Sequence, residues 1–456
     1  MAVDEQVVEA QLAQFGANLT YDEIPEDVLR TAERCYLDTL GVTLAGSAEQ
    51  PGQLTAEMVD DSGSAGGDAT MIGRGTGASI GDTVFVNGAA GHALDFDDVS
   101  NDIGHPSVTL VPSALAVGEV FGASGRDLLT AYVAGFEVEN YIASTISPSH
   151  YEDGWHSTST FGTFGAAAAA GSVLGLNATE LRHALNIAAS SSAGLQRNFG
   201  TPTKPMHAGQ AARAGASAAM LAANGFTADA TAISGDGGFL DLYAGDAGID
   251  YDAAPSLGEE WGLRDPGVQI KKYPCCYCTH PGIAAARTLT TEHDIDPDSI
   301  DHVSVTSSEK GPQILQHDDP STGFEAKFSM PYTVSYALAR NRVDLAAFDD
   351  ENIAAPDVQQ IRSRLTYEAD PSIPFDNYKT TVIVTMNDGR RYEETKLNPP
   401  GRDGVPLSDA ELHEKFVMCA TRTLDEDSAE QLYERLDSLR EQDERGVLAL
   451  IEELSG

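Results

Sequence analysis

Positive charge is scarce in this sequence. Its 456 residues contain 28 lysines and arginines against 70 aspartates and glutamates, which gives a formal net charge of −42. Eight residues are lysine, and the first 203 positions contain none. A field of this sign repels the phosphates of nucleic acids and the headgroups of anionic lipids. We therefore expect neither nucleic acid nor membrane as a partner.

The excess of acidic over basic residues indicates that the protein works at a high salt concentration. In concentrated salt the Debye length falls to about 3 Å at 1 M, so the self-repulsion of an acidic surface is screened. We expect a halophilic cytoplasm. The acidic residues alternate with apolar ones instead of forming tails, which indicates a folded chain. Each lysine that is present is a stronger candidate for a specific role.

Cysteines and long apolar runs are also few. The five cysteines are an odd number, and the first residues have no secretory pattern, so a disulfide framework is not expected. The longest weakly apolar stretch, residues 161–176, consists largely of Ala, Gly, Ser and Thr. It is shorter than the roughly 20 apolar residues of a membrane-spanning helix. These absences predict a soluble, cytoplasmic protein of two or three folded units.

Helical patterns dominate the chain up to about residue 265. Apolar residues recur near a 3.6-residue spacing, and later helices are rich in small residues that allow close packing. The predicted helices cover residues 5–46, 164–176, 178–193, 207–224, 408–422, 428–440 and 445–454. Residues 62–68 are predicted to form a loop. We expect a large helical domain formed by residues 1–265 and 400–456.

Strand patterns appear after Asp265-Pro-Gly267. Alternating or β-branched stretches and the turn Asn387-Asp-Gly389 predict strands and a hairpin. The predicted strands are 268–271, 302–306, 378–386 and 390–397, and the predicted helices between them are 281–293 and 326–340. The fold class is therefore mainly α with an α+β part. A smaller α+β lid domain, residues 266–399, is inserted into the helical domain.

Two histidines lie in polar, glycine-containing segments of the helical part. Gly91-His-Ala-Leu-Asp-Phe-Asp-Asp98 is followed by Gly104-His-Pro-Ser107, which places His105 on a loop shortly after the carboxylate of Asp95. His156 lies in Gly154-Trp-His-Ser-Thr-Ser-Thr-Phe-Gly162, where its neighbouring hydroxyls could cradle a carboxylate at a helix start. The structural alternatives are a solvated helix end for the first motif and helix capping for the second.

Two lysines and a tyrosine complete the candidate residues. Lys204 precedes a helix of small residues, where it is either a carboxylate partner or a surface lysine. Lys271 begins Lys-Lys-Tyr-Pro-Cys-Cys-Tyr-Cys-Thr-His280, whose cysteines lack the second ligand pair of a zinc site, so packing cysteines and no metal are expected. Tyr332 ends Phe-Ser-Met-Pro-Tyr before a helix, a position that also suits a core tyrosine.

The order of these motifs resembles the MmgE/PrpD family, which includes 2-methylcitrate dehydratases, cis-aconitate decarboxylases and an iminodisuccinate epimerase. The resemblance covers nearly the whole chain. It rests on Leu94–Asp98 with His105–Ser107, the His156 loop with its following Ala-rich helix, Thr203–His207 with Gly209, Lys271–Pro274 with Thr279–His280, and Phe328–Tyr332. It implies a homodimer, no metal or organic cofactor, and six residues at a cleft between the domains: Asp95, His105, His156, Lys204, Lys271 and Tyr332.

The resemblance also implies a reaction. It predicts a cofactor-independent hydro-lyase of the 2-methylcitrate dehydratase type, as in propionate catabolism, acting on a small di- or tricarboxylate. Proton removal next to a carboxylate requires a positioned base and stabilisation of the enolate. His105 is the expected acid or base and Asp95 orients it. The two lysines neutralise substrate carboxylates, while His156 and Tyr332 bind substrate or protonate a departing hydroxyl.

Three alternatives remain at this stage. The same residues suit an epimerase or isomerase of the iminodisuccinate type, or a decarboxylase of the cis-aconitate type. Decarboxylases of the family have threonine directly after the Asp-Phe-Asp-Asp run, whereas this chain has Val99, which argues against decarboxylation. A non-catalytic binding protein would be expected to lack some of the six residues, and all are present.

Overall fold

The computed structural model describes residues 8–374, 377–400, 402 and 406–456, and the helical start predicted at residues 5–7 lies outside them. Contacts divide the chain into two units. The helical unit contains the described residues up to Ala93, Asp97–Ile270 and Asp409–Gly456, and the mixed unit contains Leu94–Phe96 and the described residues of Lys271–Ser408. The predicted domain limits, at 265/266 and 399/400, concern independent folding and stay a prediction.

The first part of the helical unit consists of twelve helices and two short strands within the described residues. The helices are α1 (Val8–Asn18), α2 (Glu26–Ser47), α3 (Gln50–Asp61), α4 (Ile80–His92), α5 (Ser107–Phe121), α6 (Gly125–Ile146), α7 (Ser149–Glu152), α8 (Ser157–Thr160), α9 (Gly162–Val173), α10 (Ala178–Ala189), α11 (Thr203–Ala223) and α12 (Phe239–Tyr243). Side-chain caps define several starts: Asn177 accepts hydrogen bonds from the first turn of α10, and Ser124 does so for α6.

A two-stranded antiparallel sheet interrupts these helices and corrects the loop prediction for residues 62–68. Strand β1 (Ala65–Met71) pairs with β2 (Thr76–Ala78). A Cβ on Gly77 would lie 2.5 Å from the carbonyl oxygen of Gly67, so the close approach of the two strands requires glycine. The prediction was wrong because glycines that permit such an approach are equally typical of loops.

Helices α4 and α11 pack backbone against backbone. A Cβ on Gly209 would lie 2.2 Å from the carbonyl oxygen of Phe85, and a Cβ on Gly88 would lie 2.8 Å from the Cα of Gly209. Gly81, nearer the start of α4, lies beside Arg213, further along α11. The helices are therefore antiparallel, and the end of α4 lies beside the start of α11.

The mixed unit contains a four-stranded sheet of order β4-β3-β5-β6. Its strands are β3 (Ile300–Ser307), β4 (Leu365–Ala369), β5 (Thr380–Met386) and β6 (Arg391–Lys396), and its helices are α13 (His280–His293), α14 (Lys310–Ile314), α15 (Gly323–Ala326), α16 (Met330–Arg340), α17 (Asp350–Ile353) and α18 (Pro356–Arg362). The β5–β6 hairpin at 387–389 confirms its prediction, and β4 was missed. The strand predicted at 268–271 is wrong, because Gln269 makes an isolated bridge to Val99.

The chain returns to the helical unit with α19 (Asp409–Ala420), α20 (Glu426–Asp437) and α21 (Glu444–Leu454), which confirms the three predicted C-terminal helices. Helix α19 packs on α2, where Lys415 Nζ lies 2.6 Å from Asp38 Oδ1 in a buried ion pair. The predicted fold class, mainly α with an α+β part, is confirmed. No helix in the described part of the chain has the length and apolar content needed to cross a membrane.

Candidate active site

The loop that carries His105 is fixed against the segment that carries His156. Ser100 and Gly104 exchange backbone hydrogen bonds of 2.7 and 2.9 Å, and Gly104 has a φ of +92°. A Cβ there would lie 2.6 Å from Thr158 Oγ1. The backbone N–H of His105 donates to the same hydroxyl at 3.0 Å. The predicted loop position of His105 is therefore a closed, hydrogen-bonded turn, in which the imidazole is buried.

Asp97 is the carboxylate that lies against His105 in the helical unit. Its Oδ2 is 3.1 Å from His105 Nδ1 and 2.8 Å from Nδ1 of His92, the last residue of α4. Burial alone would raise the pKa of Asp97, but the two imidazoles hold it well below its usual range. Asp97 thus hydrogen-bonds to His92 and lies in close polar contact with His105. The sequence prediction gave the orienting role to Asp95 and did not single out Asp97 or His92.

Four imidazoles of the helical unit form a continuous buried group, here called the histidine cluster: His105, His92, His156 and His207. Neighbouring ring centroids along this order are 4.6, 5.7 and 5.4 Å apart. His156 Nδ1 lies 3.1 Å from His207 Nδ1, within hydrogen-bonding distance. His207, in the second turn of α11, belongs to a motif noted in the sequence, but its role was missed.

Burial and positive charge keep three of these rings neutral. Burial lowers the pKa of His92 to about 3 and that of His207 to about 4. The pKa of His156 lies well below its usual range because of burial, the Lys204 charge and the other three rings. Neutral imidazoles have one donor and one acceptor nitrogen each, so each of these rings can donate one hydrogen bond and accept another.

Lys204 supplies the positive charge beside the cluster. It lies in the first turn of α11, and 5% of its surface is exposed, which excludes the surface-lysine alternative. Its ammonium lies 5.3 Å from the ring centroid of Phe199, whose edge contacts the His156 ring. A buried ammonium among neutral imidazoles forms a site that favours an anionic ligand.

Three of the four hydroxyls after His156 have partners, whereas Ser157 Oγ is buried and makes no hydrogen bond within the described residues. Thr158 accepts the His105 N–H, Ser159 donates to the carbonyl of Ala193, and Thr160 Oγ1 lies 2.8 Å from His150 Nε2. The predicted carboxylate cradle from these side chains stays a prediction. The Nε2 atom of His156 is buried and makes no hydrogen bond to the described part of the chain.

A layer of protonatable acids lies behind Asp97. Asp98 accepts a hydrogen bond from Ser107 Oγ, and burial raises its pKa to about 7. Burial likewise raises the pKa of Asp38 to about 6, despite the Lys415 ammonium. Around neutral pH these acids are partly protonated, which reduces the negative charge that the histidine cluster experiences.

Glu139, on α6, is fully buried, and neither carboxyl oxygen has a hydrogen-bond partner among the described residues. Burial, with the Asp98 charge, raises its pKa well above its usual range.

The raised pKa of Glu139 makes stability depend on pH. The folded state holds a proton that the unfolded state loses above about pH 4.3. The free energy of unfolding therefore falls as pH rises from the unfolded-state pKa to the folded-state pKa, by about 1.4 kcal/mol per pH unit. Glu139→Gln removes this loss. We expect the free energy of unfolding of the variant, relative to wild type, to increase from pH 5 to pH 8, measured by chemical denaturation.

Glu137 gives the matched control for that measurement. Its carboxylate accepts the backbone N–H groups of Gly262 at 2.8 Å and Leu263 at 3.2 Å. An amide at residue 137 replaces one of these acceptor oxygens with a donor, so Glu137→Gln should destabilise the protein. A Glu139→Gln gain of equal size at both pH values would contradict the assignment of a buried, protonated carboxyl.

The mixed unit holds two of the predicted residues as a pair. Lys271 Nζ donates to the carbonyl oxygen of Asp95 at 2.9 Å and lies 3.2 Å from its Oδ2, with 1% of the lysine exposed. Asp95 has a left-handed backbone, φ 51°, which directs both oxygens of one residue to the same ammonium. The structure thus gives Asp95 a lysine as its direct partner.

Tyr332 and the cysteine cluster have packing contacts in the mixed unit. The Tyr332 hydroxyl donates to the carbonyl of Ala347, and burial raises its pKa above the usual range. Cys275 Sγ lies 3.1 Å from Thr279 Oγ1, and His280 Nε2 lies 3.2 Å from the Cys275 carbonyl oxygen. These contacts agree with the core alternative for Tyr332 and with packing cysteines. That the protein needs no metal stays a prediction.

Comparison with known proteins identifies relatives along nearly the whole chain. Cis-aconitate decarboxylase of Mus musculus is 28% identical over 445 residues, which cover 94% of this chain and 90% of that protein. The Homo sapiens enzyme of the same name is 28% identical over 95% of this chain and 92% of its own, and that of Aspergillus terreus is 26% identical over 95% and 93%. The family models for the MmgE/PrpD N-terminal domain and C-terminal domain match residues 10–252 and 273–440. The chain therefore belongs to the MmgE/PrpD family.

Proposed function

We propose that this chain is a lyase that moves a proton at a carbon next to a carboxylate of a small di- or tricarboxylate. The observation that carries the proposal is the histidine cluster: His105 lies against the ionised carboxylate of Asp97, and the buried ammonium of Lys204 acts on the neighbouring rings. Membership of the MmgE/PrpD family and relatives named as decarboxylases support the lyase class.

The first candidate reaction is dehydration. His105 takes the proton from the carbon, and Asp97 stabilises the imidazolium that forms. The electron pair of the C–H bond forms the double bond while the β-hydroxyl leaves. His156 transfers the proton that turns the departing hydroxyl into water, and the proton gained by His105 and the one lost by His156 are exchanged through solvent before the next turnover. Lys204 stabilises the charge that develops on the carboxylate, which is strongest in a buried, water-poor site. The proposal assigns no step to a metal or an organic cofactor.

The second candidate is decarboxylation of a substrate of the cis-aconitate type. It is favoured by the names of the three relatives, which each align with more than nine-tenths of this chain. The C–C bond to the departing carboxylate would break to release CO2, and a protonated histidine would return a proton to the carbon. Residue 99 argues for the first candidate, since Val99 has no hydroxyl and its backbone pairs with Gln269 at 2.9 and 2.8 Å.

All six residues of the sequence prediction remain in the proposal. His105, His156 and Lys204 belong to the helical unit, and Asp95, Lys271 and Tyr332 belong to the mixed unit. Their action on one substrate, and the homodimer and cytoplasmic location implied by the resemblance, are proposals. Lys271 would neutralise a substrate carboxylate, with Asp95 positioning its ammonium.

A substrate panel tests the proposed function. The purified protein is incubated in about 3 M KCl and D2O with citrate, 2-methylcitrate, cis-aconitate and related polycarboxylates, and products are followed by NMR. We expect one polycarboxylate either to lose water, with deuterium entering the recovered substrate when the step reverses, or to lose CO2 and acquire deuterium on carbon. A folded protein that neither converts nor saturably binds any member of the panel would contradict the proposal.

A further inference from the structure

Two residues outside the predicted set lie close to the ring nitrogens of the two histidines of the proposed reaction. Asp97 lies against Nδ1 of His105, and His207 lies against Nδ1 of His156. We infer that these contacts give the two histidines opposite roles: Asp97 makes Nε2 of His105 the base, and His207 makes Nε2–H of His156 the acid. The inference rests on the proposed function and names Asp97 and His207 as positioning residues.

The Asp97 half follows from donor and acceptor chemistry. An ionised carboxylate only accepts hydrogen bonds. Its Oδ2 lies within 3.1 Å of Nδ1 of both His92 and His105. A neutral imidazole in that place must therefore hold its proton on Nδ1, which leaves the lone pair on Nε2. His105 thus presents a basic nitrogen on the side of the ring away from Asp97.

The His207 half follows from burial and charge. In a hydrogen bond between two neutral imidazoles, one Nδ1 donates and the other accepts. His156 is 2% exposed and its Nε2 has no partner among the described residues. A bound ligand would therefore supply the hydrogen-bond partner of this atom. An anionic ligand brings acceptor oxygens, and the Lys204 ammonium favours such a ligand. When such a ligand binds, its oxygen accepts a hydrogen bond from Nε2–H of His156. Because a neutral imidazole carries one proton, Nδ1 of His156 must then accept the hydrogen bond from His207.

The surroundings of His156 keep this arrangement neutral. The charged or titratable groups that act on it are the Lys204 ammonium and the rings of His92, His207 and His105. None of these is a carboxylate, whereas His105 has Asp97. The imidazole without an acid partner is the one that resists accepting a second proton, so it suits the role of a neutral donor.

The direct test is the tautomer of each ring in the wild-type protein. Selective 15N labelling of the eleven histidines, with assignment by single His→Gln variants, distinguishes Nδ1–H from Nε2–H by NMR at pH 7.5. We expect His105 as the Nδ1–H form and His156 as the Nε2–H form. His156 in the Nδ1–H form would overturn the inference. This measurement needs no substrate, so it decides the inference even where the substrate panel fails.

Two variant pairs add a functional readout once a substrate is known. In His207→Asn the side-chain amide nitrogen takes the place of Nδ1 and donates to His156, whereas His207→Leu has no donor. We expect the Leu variant to lower kcat by about 10-fold or more with KM little changed, and the Asn variant to retain most of the activity. Equal kcat values in the two variants would overturn the role of His207.

Asp97→Asn tests the inferred role of Asp97, which is to hold the proton of His105 on Nδ1. An amide donates to Nδ1 and moves the His105 proton to Nε2, so kcat should fall at least about 10²-fold. Binding of a dead-end polycarboxylate, measured by isothermal titration, should change little, because Asp97 positions a ring and does not touch substrate. The pH profile of kcat/KM should differ from that of wild type, because the ionised carboxylate beside the His105 ring is gone. A normal profile with normal kcat would overturn the assignment.

Discussion

Replacing His105 by glutamine is expected to lower kcat by about 10²- to 10⁴-fold, the usual contribution of a positioned acid or base. Glutamine keeps a hydrogen-bonding side chain of similar length, and the backbone N–H of residue 105 still donates to Thr158. The loop should therefore keep its conformation. What is removed is the imidazole beside Asp97, the titratable group best matched to proton transfer near neutral pH.

Substrate affinity should separate this variant from one at Lys204. His105→Gln should leave the Kd of a dead-end polycarboxylate within a few fold, because the anion is held mainly by positive charge. Lys204→Met replaces the buried ammonium by an apolar side chain of similar length and should raise that Kd. It should also lower kcat to the extent that charge develops on the same carboxylate in the transition state. Isothermal titration and steady-state kinetics measure the two effects.

The control is His293→Gln, which changes an exposed histidine at the end of α13 that stacks on Tyr392 in the mixed unit. It should behave as wild type in both measurements. A His105→Gln enzyme with near-normal turnover would remove His105 from the mechanism and transfer the role of base to another residue of the histidine cluster or to Lys271.

The sequence predicted the fold well where local signals and packing agree. Helices α13 and α16 and the β5–β6 hairpin follow from apolar spacing and the Asn-Asp-Gly turn. It failed where a long-range contact decides the structure. Strand β1 exists because Gly67 and Gly77 let two backbones meet, and Gln269 forms one bridge instead of a strand. Such pairings are not visible in the local sequence.

The candidate site shows the same division. The motifs singled out His105, His156 and Lys204 one by one, and only the family resemblance brought them together. The motifs did not distinguish Asp95 from Asp97, since two aspartates separated by one residue have equivalent local patterns. In the structure Asp95 has a left-handed backbone and contacts Lys271, whereas Asp97 lies against His92 and His105.

Gly209→Ala is expected to destabilise the protein by about 3 kcal/mol or more, the upper end of overpacking effects. The added Cβ would lie 2.2 Å from the carbonyl oxygen of Phe85 and 3.0 Å from the backbone nitrogen of Ala89. Backbone atoms of a packed helix do not move aside as a flexible side chain does. The gain in helix propensity, up to about 1 kcal/mol, does not offset this clash.

The matched control is Gly81→Ala, since this glycine also belongs to α4 but a Cβ there meets its nearest atom, Arg213 Cγ, at 3.8 Å. We expect Gly81→Ala to be neutral or stabilising by up to about 1 kcal/mol. Denaturant titrations of both variants in concentrated KCl, followed by far-UV circular dichroism, give the two midpoints. Equal midpoints would show that α4 and α11 do not approach backbone to backbone. A lower midpoint for Gly209→Ala alone would show that the separation of these helices, and with it the position of Lys204 and His207 beside His92, is set by a residue with no side chain.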